Sequence, residues 1–507
     1  MSISVGIPEN WNLPLFWAVV DGTKAGNLTE AGRALLVGQM FTTGGNAGTA
    51  AVNVPIPVGS VALAGQLFGV GSMLYRMVKA FFNCNTTQQL WAVPVADGTG
   101  TKAAGSIAIS GSLATSGLLT IYIAGQKVQV SVASTDTAAA IATNLIAAIN
   151  AIPDMPVTAA VDVTHAYQVD LTCQWKGLTG NDITIVPNYL GIFNGESLPA
   201  NMTLTIVAMS AGTGEPDFTA AISATQVTDF DYVALPYTDG ASMGAWAIEF
   251  GFGATGRWNY ARQQYGMILG AYRNDYADAL TFGLAQNAPV VSTMVIEQDS
   301  PTPVWEWSAA YCALAALGFT DDPARPLQTL EMPGILPARI QNRFIQGQLN
   351  ALTNSGLAIQ ATAPSGNPMI LREQSQYQLN SFGQGDTAFG LLTVLATLQE
   401  LLRRMKAAIT SKYPRVKLVP DGTRLGPGQA AVTPTDIKGE LISEFGQAEF
   451  DGLVADLPDF KANLIVEIDD QNPNKLKVLW PPQLAGQLRQ FDVLCQFRLQ
   501  YSPISAA

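Results

Sequence analysis

The sequence predicts an α/β core with a largely parallel sheet, an inserted small α+β domain, and an α+β C-terminal domain with extended terminal β-arms. Three observations carry this reading. Short apolar strand runs alternate with helix-period stretches on both sides of a long interruption; Gly- and Thr-rich segments bound that interruption; and after about Leu327 the pattern changes to hairpins and long amphipathic helices. The length of 507 residues has room for about three domains, each with its own core.

Residues 1–20 read as an extended arm. Ile3, Val5 and Ile7 alternate, Pro8 and the polar ENWN follow, and PLFWAVV leads toward a first strand. Residues 21–96 form the first part of the core. ALLVGQM from Ala34 is a strand, Ser60 to Phe82 one long apolar helix, and LWAVPVA from Leu90 a second strand. The series resumes over 215–355 with strands FDYVALPY from Phe230, YGMILGAY from Tyr265 and PVVSTMVI from Pro289. Helices are expected at Ser242 to Phe250, Asp275 to Gln286 and Trp305 to Leu317. Strands of this kind, alternating with helices, argue for a parallel sheet covered on both faces.

The interruption, 97–214, lies between ADGTGTKAAG and SAGTGEPD. Inside it LLTIYIAG and KVQVSVAS read as a hairpin, Asp136 to Ile149 as an amphipathic helix, and VTAAVDV, YQVDLTC and ITIVPNY as strands. Residues 356–490 form the C-terminal domain. A hairpin starts at Gly356 with its turn at Pro364 to Pro368. A long helix spans Asp386 to Tyr413 with Asp386 as N-cap and a buried stripe of Leu391, Leu395, Leu398, Leu402, Met405 and Ile409, and a second helix spans Thr435 to Gly452. Over 491–507, Phe491, Val493, Cys495, Phe497, Leu499 and Tyr501 occupy every second position, one face of a final strand. A strand with so little chain beyond it is free to complete a sheet in a neighbouring subunit, or else belongs inside its own.

Composition points the same way. Apolar content is ordinary at 48%, but only 13% of residues are charged, against about 25% in average soluble domains. A charge-poor surface is one that other subunits cover, the alternative being a monomer with a Ser, Thr, Asn and Gln surface. The net charge of −12 repels nucleic acid and anionic lipid, so neither is expected as a direct partner. Cys84, Cys173, Cys312 and Cys495 are widely spaced and suggest neither a zinc site nor a disulfide framework. The N-terminus lacks the pattern of a secretory signal, which leaves the sequons at Asn27, Asn85 and Asn201 without meaning. Trp307 to Phe319, the longest strongly apolar run, falls short of the roughly twenty residues of a membrane span and reads as a buried helix.

Two motifs invite an enzymatic reading. Gly240 to Gly244 spell GxSxG between a strand and a helix, the setting of a nucleophile elbow at Ser242. The base would have to be His165, the single histidine, which is upstream and in the insertion; Ser242 as a helix N-cap is the plainer reading. Gly251 to Gly256 spell GxGxxG, but after a helix rather than a strand, so a loop is expected instead of a phosphate cradle. His165 has no partners at ligand spacing. No catalytic residue, cofactor site or metal site is therefore assigned. One charge feature stands out: Arg403, Arg404, Lys406, Lys412, Arg415 and Lys417 lie between Glu400 and Asp421 with no acid among them. They read either as a solvated helix end favoured by the macrodipole or as a docking patch for an acidic surface.

The chain resembles the contractile tail sheath proteins of Mu-like bacteriophages. The matching pieces are PLFWAVVD from Pro14, GTGEPD from Gly212, FDYVALPYTD from Phe230, the RW pair at Arg257, DGTRLGPGQ from Asp421, VTP at Val432 to Pro434, a hairpin turn around NPNKL from Asn472, and QLRQF at the entry to the final strand. The resemblance implies a non-enzymatic virion protein, assembled in the bacterial host cytoplasm, that polymerises with itself as six-fold rings around a tail tube. Tail tube, baseplate and tail terminator proteins are its implied partners. Contraction would follow from a shift between two packings of one subunit, with the terminal arms keeping subunits linked and the basic patch facing the tube. A sheath of a phage-derived injection particle or secretion machine fits the same residues, and a serine hydrolase using Ser242 is the rival from another class.

Overall fold

The computed structural model describes residues 32–111, 115–424 and 426–499. The chain opens with β1 (Ala34–Gln39), β2 (Ile56–Pro57), α1 (Val61–Phe68), α2 (Met73–Cys84) and β3 (Leu90–Val95). The single long helix expected over 60–82 is two. Gly69 and Gly71 between them have φ of +86° and +88°, a left-handed backbone that ends α1, and Ser72 then caps α2 through the Tyr75 N–H.

The insertion contains β4 (Lys102–Ser110), β5 (Gly117–Ile123), β6 (Gln126–Val132), α3 (Ala138–Asn150), β7 (Val157–Val161), β8 (Gln168–Lys176), β9 (Ile185–Pro187) and β10 (Thr203–Ser210). Its sheets run β10-β4-β8-β7 and β6-β5-β9. The expected hairpin, helix and three strands are present, and β4 and β10 join them. Entry and exit lie side by side, since Thr101 and Thr213 exchange backbone hydrogen bonds of 3.1 and 3.2 Å. Gly100 is required there, because a Cβ would stand 1.6 Å from the Thr213 carbonyl oxygen.

After the insertion come α4 (Thr219–Thr225), β11 (Tyr232–Ala234), α5 (Gly240–Phe250), β12 (Met267–Asn274), α6 (Tyr276–Leu284), β13 (Val291–Glu297), α7 (Val304–Asp321) and α8 (Gln346–Asn354). The central sheet runs β13-β12-β11-β1-β3-β2, parallel throughout except for β2. Every residue of β1 and β13 is buried, as strands covered on both faces must be. The helices α2 and α7 pack together against this sheet. Gly38 on β1 allows α2 its approach, since a Cβ would meet Met77 Sδ at 2.9 Å.

A single hydrophobic core runs from this sheet into the insertion, where it includes Ile107, Ile121 and Trp175. Trp175 meets Trp305 of α7 edge-on at 5.3 Å, both rings buried. The side chain of Arg76 on α2 donates to the carbonyls of Ala124 (2.7 Å) and Asp154 (3.0 Å) and pairs with Glu306 of α7. The insertion is thus separate in chain order while sharing the core of the central sheet.

The remaining elements are β14 (Ile359–Thr362), β15 (Pro368–Arg372), α9 (Leu392–Lys412), β16 (Lys417–Leu418), β17 (Ala431–Val432), α10 (Pro434–Phe450), β18 (Val454–Ala455), α11 (Leu457–Asn463), β19 (Ile465–Asp469), β20 (Asn472–Leu479) and β21 (Gln483–Leu484). The hairpin β14-β15 turns where the sequence places it. The helix α9 starts later than expected, because Asp386 is committed elsewhere: its Oδ1 accepts the Ala388 N–H at 3.0 Å and its Oδ2 the Tyr377 hydroxyl at 2.7 Å. Leu398 and Leu402 are half-buried, whereas Leu392, Leu395 and Leu401 are buried. The entry to α10 is as read, with Thr433 and Asp436 forming a capping box before Pro434. NPNKL is not a turn. It opens β20, and the turn is Asp470–Gln471 just before it.

A second core is assembled from Leu401, Ile437, Leu441, Phe445, Phe460 and Leu464, with Phe445 and Phe460 stacked at 3.8 Å. The boundary at 356 therefore moves. Ile370, Leu392, Leu395 and Ala396 belong to the first core and Leu401, Met405 and Ile409 to the second, so α9 passes from one to the other.

Candidate assembly interfaces

The terminal segment is the most exposed apolar stretch among the described residues. Phe491 is 80% exposed, Phe497 77% and Leu499 95%, and Val493 and Cys495 are exposed as well. Residues 490–498 belong to no strand, and none from 490 to 499 has a hydrogen bond or ion pair among the described residues. Among the described residues the segment is thus paired with no strand of its own subunit. Tyr501, like Ile3, Val5 and Ile7 at the other end, lies outside the described residues. Among the described residues the hairpin β19-β20 is a two-stranded sheet with both outer edges unpaired, and Ile465, Val478 and Leu479 on it are exposed. Open edges of this kind accept added strands.

The basic residues between Glu400 and Asp421 do not form one free patch, because folding brings acids to half of them. Arg403 makes a two-nitrogen fork onto the buried Asp231 at 3.1 and 2.5 Å, with its guanidinium 5.9 Å from the Tyr265 ring centre. Burial works against the charge of Arg403, but the Asp231 carboxylate outweighs it and raises the pKa above the ordinary value. Arg404 pairs with Glu400 at 2.6 Å and with Asp451, and Lys412 pairs with Glu440. Lys417 donates to Gln429 at 3.0 Å. Lys406 and Arg415 are exposed and have no acidic partner among the described residues. The sequence reading missed Asp231, Asp451 and Glu440, since a run without acids in sequence says nothing about acids that arrive from other elements.

Neither enzyme-like motif gains a catalytic setting. Ser242 is buried and is not the N-cap; Asp239 is, accepting the Ser242 N–H at 2.9 Å. His165 is in the β7–β8 turn, where Nδ1 is 2.8 Å from Thr164 Oγ1 and 3.2 Å from Asp162 Oδ1. The Gly251 to Gly256 stretch is a wound loop after α5, as expected, and it delivers Arg257 into the core. There the fully buried Arg257 pairs with Glu249 at 3.1 Å, donates to the carbonyls of Thr225 and Thr228, and stacks 4.2 Å from the Phe250 ring centre. This gives the RW pair a structural role. Among the described residues no group of three or more His, Cys, Asp or Glu side chains is placed to hold a metal ion, and no helix is long and apolar enough to cross a membrane.

One carboxyl group is poised at the root of the insertion. Glu215 Oε1 accepts the Leu178 N–H at 2.6 Å, while Oε2 is buried without a partner. Burial, with a smaller push from Asp239, raises its pKa to about 7.

Comparison with known proteins adds the following. Residues 211–375 match the phage tail sheath protein central domain, and residues 384–498 match the phage tail sheath C-terminal domain. The Mu-like prophage FluMu tail sheath protein of Haemophilus influenzae is 35% identical over 503 residues, covering 98% of this chain and 100% of that protein. Among solved structures, a sheath tail protein from Desulfitobacterium hafniense aligns with a TM-score of 0.47 and 11% identity, over 94% of this chain and 97% of that one. A chain from the baseplate of the anti-feeding prophage aligns at 0.48 and 9%, over 96% and 100%. The two domain matches and the near full-length identity establish that the chain belongs to the phage tail sheath protein family.

Proposed function

We infer that this protein is the non-enzymatic repeating subunit of a contractile sheath, one that polymerises with itself around a tail tube and is joined to a baseplate at one end. The observation that carries the reading is the terminal segment. Phe491, Val493, Cys495, Phe497 and Leu499 present alternating side chains to solvent and have no hydrogen-bonded partner among the described residues. A two-faced extended segment of this length gains little alone and much as an added strand, through backbone hydrogen bonds and one buried apolar face. The open edges of β19-β20 supply an acceptor in a second copy of the chain. Ile3, Val5 and Ile7 would serve as the arm at the other end. The basic residues left unneutralised, Lys406 and Arg415 with Lys417 beside them, are the part of the cluster available to an acidic tube surface.

Support also comes from family membership and from a composition unusually poor in charge. The test is electron microscopy of the purified chain without nucleotide or metal. Hollow tubes or stacked rings are the expected result. A strictly monomeric species at high concentration, over a range of salt and pH, would sink the reading.

A further inference from the structure

An arm that pairs with a neighbour must leave its own subunit from a fixed point. Side chains on a strand alternate, so a slip of one residue turns every apolar group to the wrong face, and each extra free residue lengthens the tether by about 3.3 Å. The structure shows where that point is. From β21 onward the chain is tied down stepwise. Gln483 and Leu484 pair with β18, the Ala485 N–H donates to the Leu453 carbonyl at 3.0 Å, and Gln487 Nε2 donates to the Ala324 carbonyl at 2.6 Å. The last tie is Arg489, the arginine of QLRQF. Its Nη1 donates to Glu373 Oε2 at 3.0 Å, its Nη2 pairs with Glu373 Oε1, and its Nε donates to Gln487 Oε1 at 2.8 Å.

Two features make this pair more than a surface contact. The Glu373 side chain is 0% exposed and that of Arg489 13%, so both charges depend on each other. Glu373 also directly follows β15, and its carbonyl accepts the Leu392 N–H at the start of α9, so the arm is fastened to the central body and not to the second core that β21 joins. The two-nitrogen fork fixes direction as well as position.

We propose that the Arg489–Glu373 ion pair is the anchor from which the terminal segment departs, and that it sets the register in which Phe491 to Leu499 meet a second copy of the chain. Arg489 is a positioning residue for assembly, and the proposal rests on the reading of the segment as a linking arm. Loosening the pair releases the chain back to Gln487, which the Ala324 carbonyl still holds. That adds about 7 Å of tether, over two residues at roughly 3.3 Å each, and removes the constraint on register.

The experiment uses the full chain with Glu373→Gln and Arg489→Gln combined, which leaves no uncompensated charge, and separately Arg489→Lys, which keeps the charge but cannot form the fork. In dilute, unassembled protein, limited digestion with a broad-specificity protease should trim the parent back to Arg489 and both variants further, to about Gln487. Assembly should then need at least about tenfold more protein, or give polymers without a regular lattice. Trimming that still stops at Arg489 in Arg489→Lys, or unchanged assembly and lattice in either variant, overturns the proposal. If the double variant does not fold, Arg489→Lys decides alone. The arm reading fails separately, if a chain cut after Gln490 assembles normally.

Discussion

Asp231 and Arg403 join the two hydrophobic cores of the subunit. Asp231 precedes β11 among residues of the first core, and Arg403 stands between Leu401 and Met405 of the second. The Asp231 side chain is 4% exposed and that of Arg403 33%, so the pair is only partly screened. Removing the cation strands a buried carboxylate. Allowing for the exposed third of the arginine, Arg403→Ala should lower the unfolding free energy by about 2–3 kcal/mol. A double-mutant cycle with Asp231→Asn in urea titrations is the check, and strictly additive effects would assign the loss to something other than this pair.

The same geometry separates the basic residues into two groups with opposite expectations. Arg403→Glu should damage folding, because it places a second acid against Asp231. Lys406→Glu and Arg415→Glu, on exposed side chains, should leave melting unchanged within about 0.5 kcal/mol. They should weaken copolymerisation with tube protein most at low ionic strength, while sheath still forms without tube. Equal loss of both assemblies would reassign them to contacts between sheath subunits.

What the sequence disclosed and what it withheld follow from range. The strands β1, β3, β11, β12 and β13 were legible because burial on both faces writes a continuous apolar run. Gly69 and Gly71 could have been read as a helix break but were lost inside an apolar stretch. The partners of Arg403, Arg404, Lys412 and Arg489 were not legible, since Asp231, Asp451, Glu440 and Glu373 reach them through the fold. The terminal face from Phe491 to Leu499 was legible as an alternation, and only the structure shows it exposed and without a strand partner among the described residues.

Cutting the chain after Gln490 removes no hydrogen bond or ion pair among the described residues. The truncated protein should keep its melting transition and lose ordered polymer, as followed by calorimetry and sedimentation. A lowered or uncooperative transition would show that the segment stabilises its own subunit after all.

Glu215 gives the subunit a pH dependence of definite sign. Its folded pKa, about 7, lies above the ordinary glutamate value, so the folded state binds the proton more tightly than the unfolded one. Its contribution is therefore fully present at acid pH, falls as pH rises toward 7, and is gone above it. Glu215→Gln should flatten this part of the stability profile between pH 5 and about 8, measured by denaturant titration at each pH. A slope in that window unchanged by the substitution would place its origin in another group.

The insertion should not be removable without damage, even though its entry and exit strands lie side by side at Thr101 and Thr213. Deleting 97–214 uncovers Trp305, which packs on Trp175, and strips the Ala124 and Asp154 carbonyls from the buried guanidinium of Arg76. A linker restores chain continuity but none of this packing, so the deleted protein is expected to be poorly soluble or to melt well below the parent. Trp175→Ala is the milder test. It leaves a cavity against Trp305 and should cost about 3–5 kcal/mol in urea titrations. A deletion variant with the parent's melting temperature and intact polymer would show instead that the insertion is a dispensable outer domain whose contacts with Trp305 and Arg76 stabilise only itself.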